Sequence, residues 1–130
     1  MKKITLSKLK KRIQRKFNLY IRLRDKDLPC ISCSSKIGPW NAGHFFSVKG
    51  NDRLRFNFDN VHKECAKCNG FDQSHLIYYY DNLKIKIGQD RIDNLKKAAI
   101  YNKKHNIKWT RDELLQIEKN IEEKLNENIR

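Results

Sequence analysis

A small, stapled α+β domain is the architecture this sequence predicts, on three observations. Two Cys-x2-Cys knuckles, Cys30–Cys33 and Cys65–Cys68, offer four thiolates, a ready tetrahedral zinc site. The chain has 130 residues, 38% apolar and 34% charged, which suits one domain whose small core benefits from a metal staple. The apolar period is helical at both ends of the chain and strand-like between them.

Four cysteines with neither a signal peptide nor an apolar run of about 18 residues set the expectation of a soluble intracellular protein without a membrane partner. In a reducing compartment, paired knuckles of this kind bind metal rather than form disulfides. The formal net charge is +14, distributed as +10 over residues 1–26, +6 over 27–110 and −2 over 111–130. A polyanion is the natural partner of the first two segments. Nucleic acid suits them better than a membrane, because no cluster of Trp, Phe and Leu accompanies the basic arm.

The elements follow in order. Residues 5–24 place Leu6, Leu9, Ile13, Phe17 and Tyr20 or Ile21 at helical spacing among Lys and Arg. That is a basic amphipathic helix with one face for packing and one for phosphates. Pro29 ends it. Trp40 to Val48, containing Gly43-His44, is expected as a strand, and Arg53 to Phe58 alternates like a second, half-buried one with Arg53 and Arg55 on its polar face. Asp59-Asn60 turns the chain into the second knuckle. Leu76, Ile77, Tyr80, Leu83 and Ile87 predict a helix ending near Gly88, and Ile92, Leu95 and Ala99 a short one after it. Thr110-x-x-Glu113 is a capping box, with Trp109 and Leu114 as its hydrophobic staple, opening a helix striped by Leu114, Ile117, Ile121 and Leu125. This last helix is expected on the N-terminal helix, in the same chain or in a partner. The chain therefore reads as a basic helix (1–28), a zinc-bound core (29–88) and a helical extension (89–130) within a single domain.

The chemistry concentrates between and after the knuckles. Phosphodiester hydrolysis needs a base for water, a positive charge for the phosphate and help for the leaving oxygen. His44 is the candidate base; with four cysteines present, zinc needs no further ligand. Asn69, through its amide oxygen, is the candidate ligand for a hard catalytic cation, Mg2+ or Mn2+. Asn60 orients a loop or the base by side-chain hydrogen bonds. His62 is a candidate for a phosphate or metal contact. His75 and His105 carry no chemical expectation beyond a helix start for His75. Lys8, Lys11, Arg12, Arg15 and Lys16 on the arm, with Arg53, Arg55, Lys63 and Lys67 around the site, are candidate phosphate contacts, which position rather than specify.

These residues carry a resemblance. The two knuckles, Gly43-His44, Asn60 and Cys65-x2-Cys68-Asn69 resemble the zinc-containing ββα-metal (HNH, His-Me finger) nucleases, and Cys68-Asn69 is similar to their endonuclease VII branch, where that Asn holds the catalytic metal. Pro29–Cys33, Ala42-Gly43-His44, Arg55-Phe56-Asn57, Asp59–Lys63, Cys65–Asn69, Ile87-Gly88 and Trp109-Thr110 together resemble the NinG/Rap recombination proteins of lambda-type phages. That likeness implies a ββα-metal core, an endonuclease of Holliday junctions and D-loops, and action in the cytoplasm of a phage-infected or lysogenic bacterial host. Many such nucleases have an acidic metal ligand where this chain has Gly43. Asn69 then stands nearly alone, or His62, Asp59 or Asp72 completes the site. Cutting a four-way junction symmetrically requires two sites, hence an expected homodimer. The rival expectation is a non-catalytic zinc module that binds nucleic acid; a zinc-stapled protein-interaction domain fits the +10 arm poorly.

Overall fold

The N-terminal helix forms where its apolar stripe says it should. The computed structural model describes residues 3–71 and 75–129, so Lys2 and Asp72 lie outside the described residues. Helix α1 (Leu6–Arg24) is capped by Thr5, whose hydroxyl accepts from the Lys8 amide at 3.2 Å. It buries Leu9, Ile13, Phe17 and Ile21, each four residues from the next. Ile21 takes the buried position; Tyr20 is half-buried with its ring against Phe58.

Strands β1 (Trp40–His44) and β2 (Val61–Cys65) form one antiparallel two-stranded sheet, with Gly43 opposite His62 and His44 opposite Val61. β1 stops short of Val48 because Asn60 takes over the pairing. Its carbonyl accepts the Phe45 amide and its side-chain oxygen accepts the Phe46 amide, both at 2.8 Å. Helix α2 (Ala66–Phe71) follows β2 directly and carries Cys68 and Asn69.

The strand expected over Arg53–Phe58 does not form. A short 3-10 helix (Asp52–Leu54) and consecutive turns occupy the segment, with the amides of Leu54, Arg55, Asn57 and Asn60 each bonded three residues back. The alternation arises because Leu54 and Phe56 turn inward while the two arginines are drawn to distant partners. Arg53 stacks over Trp109 at 3.8 Å and pairs with Glu113; Arg55 bonds Gln14 and Asp52.

Helix α3 (His75–Ile87) buries Tyr79 and Leu83 rather than Leu76 and Ile77, which are exposed. Tyr79 sets this rotation: its hydroxyl donates to the Gly43 carbonyl at 2.6 Å. Ile31, Tyr79, Leu83 and Ile92 of α4 (Gln89–His105) make one core cluster. Helix α5 (Arg111–Ile129) opens on the capping box: Thr110 N–H donates to Glu113 at 3.0 Å, and the Glu113 amide donates to the Thr110 hydroxyl at 3.2 Å. Leu114 and Ile121 join the α1 stripe, Ala42 and Val61 in the other cluster, so α5 meets α1 within the same chain. Glu118 receives Arg12 at 2.7 and 2.8 Å and Lys16 at 3.0 Å; Lys16 also reaches Glu122 at 2.6 Å. The acidic bias of α5 neutralises one side of the basic helix.

Candidate metal centre and adjoining site

The two knuckles converge. The sulfurs of Cys30, Cys33, Cys65 and Cys68 all lie within 4.8 Å of one another, and Cys33 and Cys65 are 3.7 Å apart. Four ligands around zinc at about 2.3 Å stand roughly 3.8 Å from each other, so the spacing fits. The donor chemistry fits too. Burial pushes the Cys30 thiol up, and burial with neighbouring sulfurs pushes Cys68 well up. At Cys33 burial is outweighed by hydrogen bonds from the Ser35 backbone and the other thiols, which hold it below the usual range. A bound dication favours the thiolate at all of them. The loop geometry is built in: the Ser34 amide returns to the Cys30 carbonyl, the Ile31 amide bonds the Lys63 carbonyl, and the Cys65 amide points at Cys30 sulfur from 3.3 Å. His44 is not a member of this group.

Beside the cysteines, a surface depression is lined by His44 and Ser47 on the β1 side, Asn69 of α2, and His75 and Leu76 of α3. The sequence thus brings His44 and Asn69 to one place. His44 Nε2 lies 3.0 Å from the Arg55 carbonyl. A carbonyl only accepts, so Nε2 carries the proton and Nδ1 holds the lone pair. Burial and the Arg55 charge hold the ring below the usual histidine range, partly opposed by that hydrogen bond, so it is neutral at pH 7.

The other expected site residues go elsewhere. Asn60 is fully buried, and its amide nitrogen donates to the Phe46 and Leu54 carbonyls at 3.0 and 3.1 Å. It anchors the loop after β1 and does not line the depression. His62 is 1% exposed, edge-on to Tyr79 of α3, and does not line the depression, so it is no ligand for a cation at Asn69. Its Nε2 donates to the Asp59 carbonyl at 2.8 Å, and its Nδ1 accepts from Lys86 at 2.7 Å and Arg24 at 3.1 Å. Asp59 is ion-paired with Arg91. Among the basic residues, Arg12, Lys16, Arg53 and Arg55 are held by acidic partners, while Lys63 is buried, donating to the Lys26 carbonyl and lying 4.0 Å over Trp40. Lys8, Lys11, Arg15 and Lys67 are exposed and make no ion pair among the described residues.

Burial, followed by the positive charge of Lys86, lowers the His62 pKa to about 3 from 6.5. A folded value below the unfolded one means that protons favour the unfolded chain. The stability His62 contributes is complete above pH 6.5 and is lost as pH falls from there towards 3. Urea midpoints measured across that window are expected to fall in the wild type and to fall less in His62→Gln, whose side chain does not titrate.

Glu64 carries no expectation from sequence and His75 only that of a helix start, which it meets as the first residue of α3; the two side chains meet, and His75 lines the depression. Glu64 is fully buried. One carboxylate oxygen, Oε2, accepts from Ser32 Oγ and from His75 Nδ1 at 2.7 Å; the other, Oε1, is buried with no partner. A Cβ on Gly43 would clash with that free oxygen and stand 2.9 Å from Glu64 Cβ. Gly43 is glycine because the Glu64 side chain lies on it. Gly43→Ala is expected to cost about 1–3 kcal/mol of stability by overpacking. Glu64→Ala should relieve most of that cost, and a double-mutant cycle by chemical denaturation reads the coupling.

The described residues define a small α+β protein gathered around four cysteines, with a histidine and an asparagine on a common depression. The chain belongs to the NinG family: residues 1–130 match the family described as Bacteriophage Lambda NinG protein. It is 36% identical over 116 residues to Protein ninG of Escherichia phage lambda, covering 88% of this chain and 54% of that protein. The Protein ninG relatives of Escherichia phage 933W and Salmonella phage P22 are each 35% identical over 116 residues, covering 88% of this chain and 55% of theirs. The chain spans about half the length of these relatives. No solved structure matches it. Among the described residues, no helix is long and apolar enough to cross a membrane.

Proposed function

We propose that the protein is a zinc-stapled, metal-dependent endonuclease that prefers branched DNA. The observation that carries this reading is the meeting of His44 and Asn69 on one depression beside the cysteine cluster. The chain order β1, β2, α2 supports it, since the histidine ends the first strand and the asparagine lies on the helix after the second, as in the ββα-metal nucleases the sequence resembles. His44, neutral and with Nδ1 unprotonated, takes the proton of the attacking water. Asn69 binds a divalent cation, which would offset phosphate charge and assist the leaving oxygen. Asn60 fixes the loop between them without touching substrate.

Charge supports the DNA partner. Lys8, Lys11 and Arg15 stay exposed on α1, and Lys67 is exposed on α2, two residues before Asn69. Phosphate contacts of this kind follow shape rather than sequence. Paired cuts across a four-way junction need two such sites, so the proposal includes a two-fold dimer. Sedimentation of a monomer both with and without junction would remove that part.

The test is nicking of a labelled synthetic four-way junction beside a linear duplex of the same sequence, with Mg2+ or Mn2+ and with chelator. Metal-dependent nicking of the junction supports the reading. Tight junction binding without nicking under any cation would make the protein a non-catalytic zinc module that binds nucleic acid.

A further inference from the structure

We propose that His75, held by buried Glu64, is the nitrogen ligand of the divalent cation at Asn69. The inference rests on the reading of that depression as a catalytic metal site and names the ligand that residue 43, a glycine, does not provide.

Three observations carry it. His75 lines the same depression as His44 and Asn69, although it belongs to a different helix from Asn69. Its Nδ1 is fixed 2.7 Å from the Glu64 carboxylate. A carboxylate acceptor there keeps the proton on Nδ1 and leaves Nε2 with its lone pair bare. A carboxylate behind the ring is the arrangement that orients metal-binding imidazoles and raises their basicity. Nε2 has no hydrogen-bonding partner among the described residues. Glu64 adds the third observation: the carboxylate that holds His75 is fully buried, with Oε1 unpartnered against Gly43. Buried polar atoms without partners are rare in folded proteins, and this one belongs to the carboxylate that orients His75. Gly43 is the residue that makes room for this carboxylate.

The set has a chemical consequence. One amide oxygen, one imidazole nitrogen and water suit a first-row transition ion better than Mg2+, which prefers an all-oxygen shell. The site therefore favours Mn2+ over Mg2+, and that preference depends on His75.

The experiment uses the full chain with its zinc in place. Mn2+ binding is followed by the electron paramagnetic resonance of the free ion, and directly bound nitrogen by the 14N modulation of the spin echo from bound Mn2+. The variants are His75→Ala, His75→Asn, Asn69→Ala and His44→Ala. His75→Asn keeps an amide donor for Glu64, so it preserves the buried hydrogen bond while deleting Nε2; zinc content and melting confirm that each variant is folded. The expected result is loss of at least about 10-fold in Mn2+ affinity in both His75 variants. Imidazole modulation should be absent in both and retained in His44→Ala. Unchanged affinity and modulation in folded His75→Asn, with binding lost in Asn69→Ala, would overturn the assignment of His75 and leave the metal site standing. If the wild type binds no Mn2+, the metal-site reading falls, and this inference falls with it.

Discussion

Removing the metal from the cysteine cluster, or replacing Cys65 with serine, is expected to unfold the protein. Cys65 ends β2 at its junction with α2, and its amide points at Cys30 sulfur. Cys30 opens the first knuckle, which is tied to β2 through the Ile31 amide and the Lys63 carbonyl. The cluster thus joins the only two strands among the described residues to the helix bearing Asn69. Little else can substitute for it. The sheet has two strands, and a two-stranded sheet is marginal by itself. The second core cluster contains only four buried residues. Structural zinc in small domains binds with about 10–16 kcal/mol of apparent free energy, on the scale of a whole domain's stability of about 5–15 kcal/mol. Far-ultraviolet circular dichroism and melting should show loss of structure on chelation and recovery when zinc is returned. Cys65→Ser should purify with less than one equivalent of zinc and melt well below the wild type. An unchanged melt after complete metal removal would mean that the two core clusters hold the fold unaided.

The helices were legible because their information is local. The stripe Leu9, Ile13, Phe17 and Ile21 and the reciprocal Thr110–Glu113 bonds are set by spacing within one element. The knuckles were legible for the same reason. What failed to show in the sequence depends on distant partners. Arg53 and Arg55 mimic a strand's polar face, but Trp109, Glu113 and Gln14 decide where they point. His62 sits in a motif-like stretch, yet Arg24, Asp25 and Lys86 close around it from α1, its C-terminal cap and α3. Two of the five arm cations expected on DNA, Arg12 and Lys16, are neutralised by Glu118 and Glu122, a pairing visible only once α5 lies on α1. Glu64 had no signal and His75 only that of a helix start: nothing near either residue in sequence points to their meeting or to Ser32, and the meaning of Gly43 follows only from the side chain lying across it.

His44→Ala is expected to lower junction nicking by about 10²–10⁴-fold, the usual contribution of a positioned general base. Zinc content, melting and junction affinity should change little, since the ring is only half-buried and outside the cysteine cluster. The pH profile separates a base from a structural residue. Burial holds the His44 pKa below 6.5, so the base is already unprotonated at neutrality, and the acid limb of the wild-type rate should fall below pH 6.5. His44→Ala should lose that limb along with the rate. The hydrogen bond from Nε2 runs to the Arg55 backbone carbonyl, so Arg55→Ala keeps the acceptor and the tautomer while removing the nearby charge. The Arg55 charge lowers the His44 pKa, so its removal should shift the acid limb to higher pH without abolishing nicking. A His44→Ala protein that nicks junctions at the wild-type rate, with an unaltered pH profile, would assign the proton transfer to another residue.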